Sequence, residues 1–408
     1  MRTLTCLALL MALLHSGGST AAADRTGRSG ASTPNSQPPT PARVAIPGAC
    51  VDDTLPSAAL SRICVPSSGW NGALLVYAHG YVTPTLPIEI DDPAFGGTPL
   101  SITIQSLGYA FATTSYRRNG LAILDGVDDI RELVAAFPGV AGVAPSRSYL
   151  IGFSEGGLIS ALLAERSPTL FSGVVAACGP IGDFQKQIEY FGDFRVLFDY
   201  FYPGSITGSP INIPLGLLTT WTNPNPTISS ALSTGPISAT QLISVALDSS
   251  LIPIVRADAS RTISTTQNLL WYNIFATNDA RFQLGGNPYG NAGRVYTGSS
   301  DDAALNATVQ RFDADTAALA ALVPYQTTGR VINPLIVLHT TGDDVIPFSQ
   351  ATLYMHKVGS GRNVTLLPVS AYGHCAFSSF DLIAAFNLLV QQATSVRPQV
   401  TLSLIRRG

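Results

Sequence analysis

Between Gly72 and Cys178 the chain alternates short apolar runs with segments of helical spacing, and this alternation limits the possible fold more than any other feature. "GALLVYAHG" (72–80), "GYAFATTSY" (108–116), "SYLIGF" (148–153) and "SGVVAAC" (172–178) read as buried strands. Between them, "LDGVDDIRELVAAF" (124–137) places Val127, Ile130, Leu133 and Val134 on one helical face, and "GLISALLAERS" (157–167) is a second helix. The pattern returns in "NPLIVLHT" (333–340) and "NVTLLPVS" (363–370), separated by the helical "SQATLYMHKVG" and followed by the helical "AFSSFDLIAAFNLLVQQ". Apolar strands alternating with helices predict an α/β fold whose mainly parallel sheet is covered on both faces.

The rhythm breaks once. Roughly 150 residues separate the strand ending at Cys178 from the next, where connections in such folds run about 2–6 residues. An inserted, mostly helical subdomain over about 184–330 is expected there, placed as a lid. Its opening stretch, 184–204, holds eight of the chain's 34 aromatic residues. They form either the insert's own core or the wall of an apolar substrate pocket. The middle, "TTWTNPNPTISSALSTGP", reads as turn-rich, and "TQNLLWYNIFATNDARF" as helical.

With 46% hydrophobic and 12% charged residues in 408, the chain has ample material for a large core. A net charge of −3 offers no excess of Lys or Arg for a phosphate backbone, so nucleic acid is not an expected partner. Met1-Arg2, the apolar run Leu4–Leu14 and small residues at Ala21 and Ala23 read as a signal peptide over 1–23. No later stretch reaches the roughly 20 apolar residues of a membrane span. A secreted or periplasmic protein follows. Residues 24–45, rich in Ser, Thr, Pro and Gly, read as a disordered tether, leaving 46–408 as the folded domain. Four cysteines then remain, Cys50, Cys64, Cys178 and Cys375, with three possible connectivities; proximity in sequence favours Cys50 with Cys64, which leaves Cys178 with Cys375.

Chemistry concentrates in Gly152-Phe153-Ser154-Glu155-Gly156, the one G-x-S-x-G of the chain. A strand before it and a helix after it supply the sharp turn that lifts a serine hydroxyl above a sheet edge, so Ser154 is the candidate nucleophile. Its base must be a histidine. His374, in the loop "SAYGHCAF" after the last strand, fits best; His339 within a strand and His356 on a helix read as structural. For the carboxylate that holds the imidazole, Asp343 and Asp344 both lie just past a strand's C-terminal end. Asp125, Asp128 and Asp129 read as a solvated helix face. The N–H groups of Glu155 and of Tyr81, in the loop after His79-Gly80, are the candidate oxyanion donors. Arg117 and Arg118 are read as a solvated rim or salt-bridge pair rather than a carboxylate clamp. Neither a metal site nor a cofactor is called for: "DDAALNATVQRFDADTAA" lacks the glycine and closing glutamate of a calcium loop. Nothing in the sequence sets an oligomeric state.

"LVYAHGY", "GFSEGG", "LHTTGDDVIP" and "GHCAF", in that order, resemble the α/β-hydrolase superfamily, in particular exported esterases and lipases with a helical lid inserted after the sixth strand. The resemblance covers about Cys50 to Gln392. It implies a serine nucleophile, a cofactor-free acyl transfer and an ester substrate, small or lipid-like. In the family the acid often stands four residues before a proline, which selects Asp343, ahead of Pro347, over Asp344. Some tannase-like and feruloyl-esterase-like relatives bridge a cysteine beside the histidine to one directly before the serine; Phe153 occupies that place here, leaving Cys178 as the reachable partner of Cys375. Gly157 after the motif is similar to prolyl-oligopeptidase-type peptidases and keeps that reading as an alternative, without a propeller or a Glu-Glu pair to support it. A catalytically silent binding protein on the same fold is a further alternative.

Overall fold

The computed structural model describes residues 45–395 other than 362. The expected signal peptide and almost all of the 24–45 tether lie outside the described residues. Eight strands form one sheet: β1 (Cys50–Thr54), β2 (Leu60–Cys64), β3 (Ala73–Ala78), β4 (Ala110–Thr114), β5 (Arg147–Phe153), β6 (Gly173–Ala177), β7 (Leu335–Gly342) and β8 (Val364–Tyr372). Their order across the sheet is β1-β2-β4-β3-β5-β6-β7-β8. Every neighbouring pair from β4 to β8 is parallel, whereas β1 and β2 join at the edge as an antiparallel pair. This hairpin carries no long apolar run; β1 is fully exposed, which is why no strand signal stands out in its sequence. Cys50 and Cys64 are direct cross-strand partners in it and are bonded to each other.

Successive side chains along a strand point to opposite faces. Leu74 and Val76 of β3 therefore join one core, with Ile130, Leu133 and Phe137 of α2 (Ile123–Ala141) and Leu158 and Leu162 of α3 (Glu155–Arg166). Leu75 and Tyr77 join the other, against Ile104 of α1 (Leu100–Ser106) and Phe386 and Leu389 at the C-terminal helix Ser379–Thr394. Burial on both faces accounts for the continuous apolar runs of the central strands.

The segment between β6 and β7 is helical, as its length and spacing predict. It opens with α4 (Phe184–Phe201), capped by Asp183, and includes the long α5 (Ala259–Gln283), capped by Asp258. Phe194, Leu197, Phe198, Leu242, Ile243, Leu269, Leu270 and Ile274 give it a core of its own. The stretch read as turn-rich contains a helix, Pro226–Thr234. Asn225 accepts hydrogen bonds from the N–H groups of Thr227 and Ile228, and Pro226 stands where a first-turn N–H would have no partner, so cap and proline start a helix that composition alone disguises. Among the described residues no helix is long and apolar enough to cross a membrane.

Candidate active site

β5 ends at Phe153 and α3 begins at Glu155, so a single residue makes the reversal. Ser154 does so with φ 57° and ψ −120°, a region costly for any side-chain-bearing residue, and its N–H is tied to the Ala177 carbonyl at the end of β6 at 3.0 Å. The glycines beside it permit close packing. A Cβ on Gly156 would stand 2.1 Å from the Ala78 carbonyl oxygen, and one on Gly157 would stand 2.6 Å from that of Ala177. Gly157 thus has a packing reason that carries no preference between esters and peptides.

The Ser154 hydroxyl lies 2.8 Å from Nε2 of His374, whose Nδ1 lies 2.9 and 3.0 Å from the two carboxylate oxygens of Asp343. Asp343 is fully buried, and its oxygens accept the N–H groups of Val345 at 3.0 Å and Ile346 at 2.8 Å. The choice between the two aspartates is a matter of orientation: Asp344 points away, toward Asn268 of α5 at 3.0 Å. Burial pushes the Asp344 carboxyl up. Burial also works against the imidazolium of His374, but the Asp343 carboxylate outweighs it and raises the pKa of His374 above its ordinary value.

His339 is buried, with Nε2 2.9 Å from the Ile346 carbonyl, where it braces the Asp343 loop; burial lowers its pKa, so it stays neutral. Cys178, just past β6, is bonded to Cys375, which fastens the His374 loop to the sheet. Among the described residues, the one group with metal-like spacing is Cys178, His374 and Cys375, and its two sulfurs are bound to each other.

The loop after β3 passes beside Ser154: a Cβ on Gly80 would stand 3.2 Å from Ser154 Cβ. This brings the Tyr81 main chain to the same side as the head of α3, where the first N–H groups have no intrahelical acceptor. The Tyr81 hydroxyl donates to the Phe275 carbonyl of α5 at 3.1 Å. The Glu155 side chain, for which sequence suggests no role, is buried and accepts the Ala122 N–H at 2.9 Å; burial raises its pKa from 4.5 to about 8.

Asp129 is not solvated: it is fully buried and accepts the Arg117 N–H at 2.7 Å as well as its guanidinium. Arg118 pairs with Asp125 at 2.7 Å, so both arginines serve salt bridges. The insert's aromatics divide between the two expected uses. Phe194 and Phe198 are core, whereas Phe191 stacks on Tyr272 of α5, with ring centroids 5.0 Å apart. Tyr272 also lies against Tyr81, with ring centroids 6.0 Å apart. Sequence gives no sign of this residue, because its contacts with Phe191 and Tyr81 join segments far apart in the chain.

The strand order, the serine turn between β5 and α3, the acid after β7 and the histidine after β8 define the α/β-hydrolase fold. No family model matches the chain. It is 36% identical over 74 residues to "Putative esterase NocK" of Nocardia uniformis subsp. tsuyamanensis, a match that covers 18% of this chain and 22% of that protein. The chain therefore spans about a fifth of that relative's length. Among solved structures it is similar to lipase A of Candida antarctica, with 14% identity, 86% of this chain and 78% of that chain covered and a TM-score of 0.45. It is also similar to the acylaminoacyl peptidase of Pyrococcus horikoshii, with 11% identity, 88% and 43% covered and a TM-score of 0.45.

Proposed function

We propose that the chain is an exported serine hydrolase that cleaves carboxylic esters through an acyl-enzyme on Ser154. The observation that carries this reading is the continuous hydrogen-bonded line from Ser154 through His374 to Asp343. In the proposed reaction the Ser154 oxygen attacks the ester carbonyl while His374 Nε2 takes its proton. Asp343, held in place by its own loop, stabilises the imidazolium. The N–H groups of Glu155 and Tyr81 receive the oxyanion, each donor contributing about 3–4 kcal/mol. The departing alcohol collects the proton from His374, and water repeats the sequence on the acyl group. As a lid, the insert, with its own core and with Trp271 and Tyr272 against Tyr81, would suit bulky or lipid-like esters. Two disulfides suit an oxidising compartment, in line with export.

A fluorophosphonate probe should label wild type and fail on Ser154→Ala, and a 4-nitrophenyl ester series should be hydrolysed with an optimum in acyl length. Because His374 must be neutral to act as base, the acid limb of kcat/KM should lie above 6.5. Absence of labelling in wild type rejects the enzyme, and peptide 4-nitroanilides cleaved faster than esters would replace it with a peptidase.

A further inference from the structure

His374 follows a glycine, and the chain leading to it has little stiffness of its own. Gly373, at φ 108°, occupies backbone that glycine adopts without steric cost. On the far side of the histidine, Cys375 is bonded to Cys178. On the near side stands Tyr372, the last residue of β8, which follows a register shift after Val369 and pairs with Gly342, the residue before Asp343. Tyr372 therefore marks the place where the strands carrying base and acid meet, and the Gly373 N–H donates to the Gly342 carbonyl there at 2.9 Å. β8 is the outermost strand of the sheet, so β7 supports it from one side only.

The insert holds Tyr372 from elsewhere. The ring packs on the insert's core, with the Arg261 guanidinium over it at 4.9 Å. Its hydroxyl donates to the Arg261 carbonyl at 3.1 Å and lies 2.8 Å from the hydroxyls of both Ser264 and Thr265, the latter fully buried. A phenol oxygen accepts as well as donates, so with its proton directed at Arg261 it can receive those of the two neighbours. Further along α5, Asn268 donates to the Asp344 carboxyl at 3.0 Å. Positions 261, 264, 265 and 268 recur at helical spacing and line one face of α5. That face touches the base loop through Tyr372 and the acid loop through Asp344.

We propose that Tyr372 is a positioning residue, through which α5 of the insert holds His374 in line between Ser154 and Asp343. The imidazole must keep two hydrogen bonds at once, 2.8 Å to the serine hydroxyl and about 3 Å to the carboxylate, and small displacements of such a group are costly to the rate. A base carried after a glycine keeps both only if the strand end before it cannot tilt. The Cys178–Cys375 bond fixes one end of the segment, and the three bonds of the Tyr372 hydroxyl fix the other. This face of the insert is then part of the support of the triad, whatever cover the rest provides.

The inference rests on the ester-hydrolase reading, and the test separates the two. Tyr372→Phe keeps the ring beneath Arg261 and removes the hydroxyl, while Ser264→Ala combined with Thr265→Val removes its side-chain partners on α5. Rates of 4-nitrophenyl ester hydrolysis are expressed per site titrated to completion with fluorophosphonate, so that misfolded protein does not count. Each variant should lower kcat by about 10- to 100-fold with KM nearly unchanged. All three substitutions together should be no slower than the slower of the two variants, because both break the same bonds. Wild-type kcat in either variant, or a loss confined to KM, overturns the proposal. Losses that multiply in the combined protein overturn it as well, since Tyr372 and α5 would then act separately. If wild type neither labels nor turns over, the ester-hydrolase reading itself has failed and this inference falls with it.

Discussion

Glu155 is the residue whose burial has the clearest consequence. Its carboxyl, one residue after Ser154, has the Ala122 N–H as partner, and burial moves its pKa from 4.5 to about 8. The folded state thus holds a proton that the unfolded chain releases, so stability is fully present below about 4.5 and is lost as pH rises toward about 8. The ceiling on this loss is about 5 kcal/mol. Glu155→Gln keeps an oxygen for the Ala122 N–H and cannot ionise. In urea unfolding at pH 5 and pH 8, wild type should lose at least about 2 kcal/mol more than Glu155→Gln does across that interval. Identical pH dependence in the two proteins would place the carboxyl in water. At this scale sequence is informative where a residue's role follows from its neighbours in the chain. Ser154 and His374 are legible from flanking elements, but Glu155 and Tyr272 owe their environments to Ala122 and to Phe191 and Tyr81, contacts that no local pattern encodes.

Among elements, the junction of β6 with the His374 loop is under the strongest constraint. Cys178 and Cys375 both adopt positive φ, at 44° and 51°, conformations that cost about 1–3 kcal/mol each and persist only where the surroundings impose them. The bond between them spans 197 residues of sequence and holds His374 against Ser154. Replacing both cysteines by alanine should lower stability by about 2–4 kcal/mol and cut turnover at 25 °C by about 10- to 100-fold, because small displacements of a base are costly. Chemical denaturation and ester kinetics on the doubly substituted protein check the two separately. Full turnover in a folded, less stable protein would reduce the bridge to a staple. The central strands and their helices are legible because burial on both faces writes itself as apolar runs. β1 is not, since an exposed edge strand needs little apolar content, and the helix Pro226–Thr234 hides behind the prolines and asparagines that begin it.

For the whole molecule, the question is whether the insert behaves as a part of its own. It has a separate apolar core, yet the described residues belong to one compact unit. Its ties run directly to the loop after β7 and to the segment before α2: Gln187 to the Val345 carbonyl at 2.8 Å, Tyr190 to the Asp344 carbonyl at 3.0 Å, Asn268 to the Asp344 carboxyl, and Asp279 to the Leu121 N–H at 2.6 Å. Most are buried or half-buried and reach main-chain groups that would otherwise lose their partners, so separating insert from sheet costs about 1–3 kcal/mol for each group left unpaired. Unfolding of one should therefore carry the other with it. Phe198→Ala tests this, since Phe198 is fully buried in the insert core and far in sequence from every strand. Truncation should cost about 3–5 kcal/mol. The far-UV signal, which reports sheet and helices together, and fluorophosphonate labelling, which reports Ser154, should then lose their midpoints by the same several degrees in one transition. Two separated transitions, with the insert melting first while Ser154 still labels, would instead show a lid that folds on its own and a nucleophile that does not depend on it.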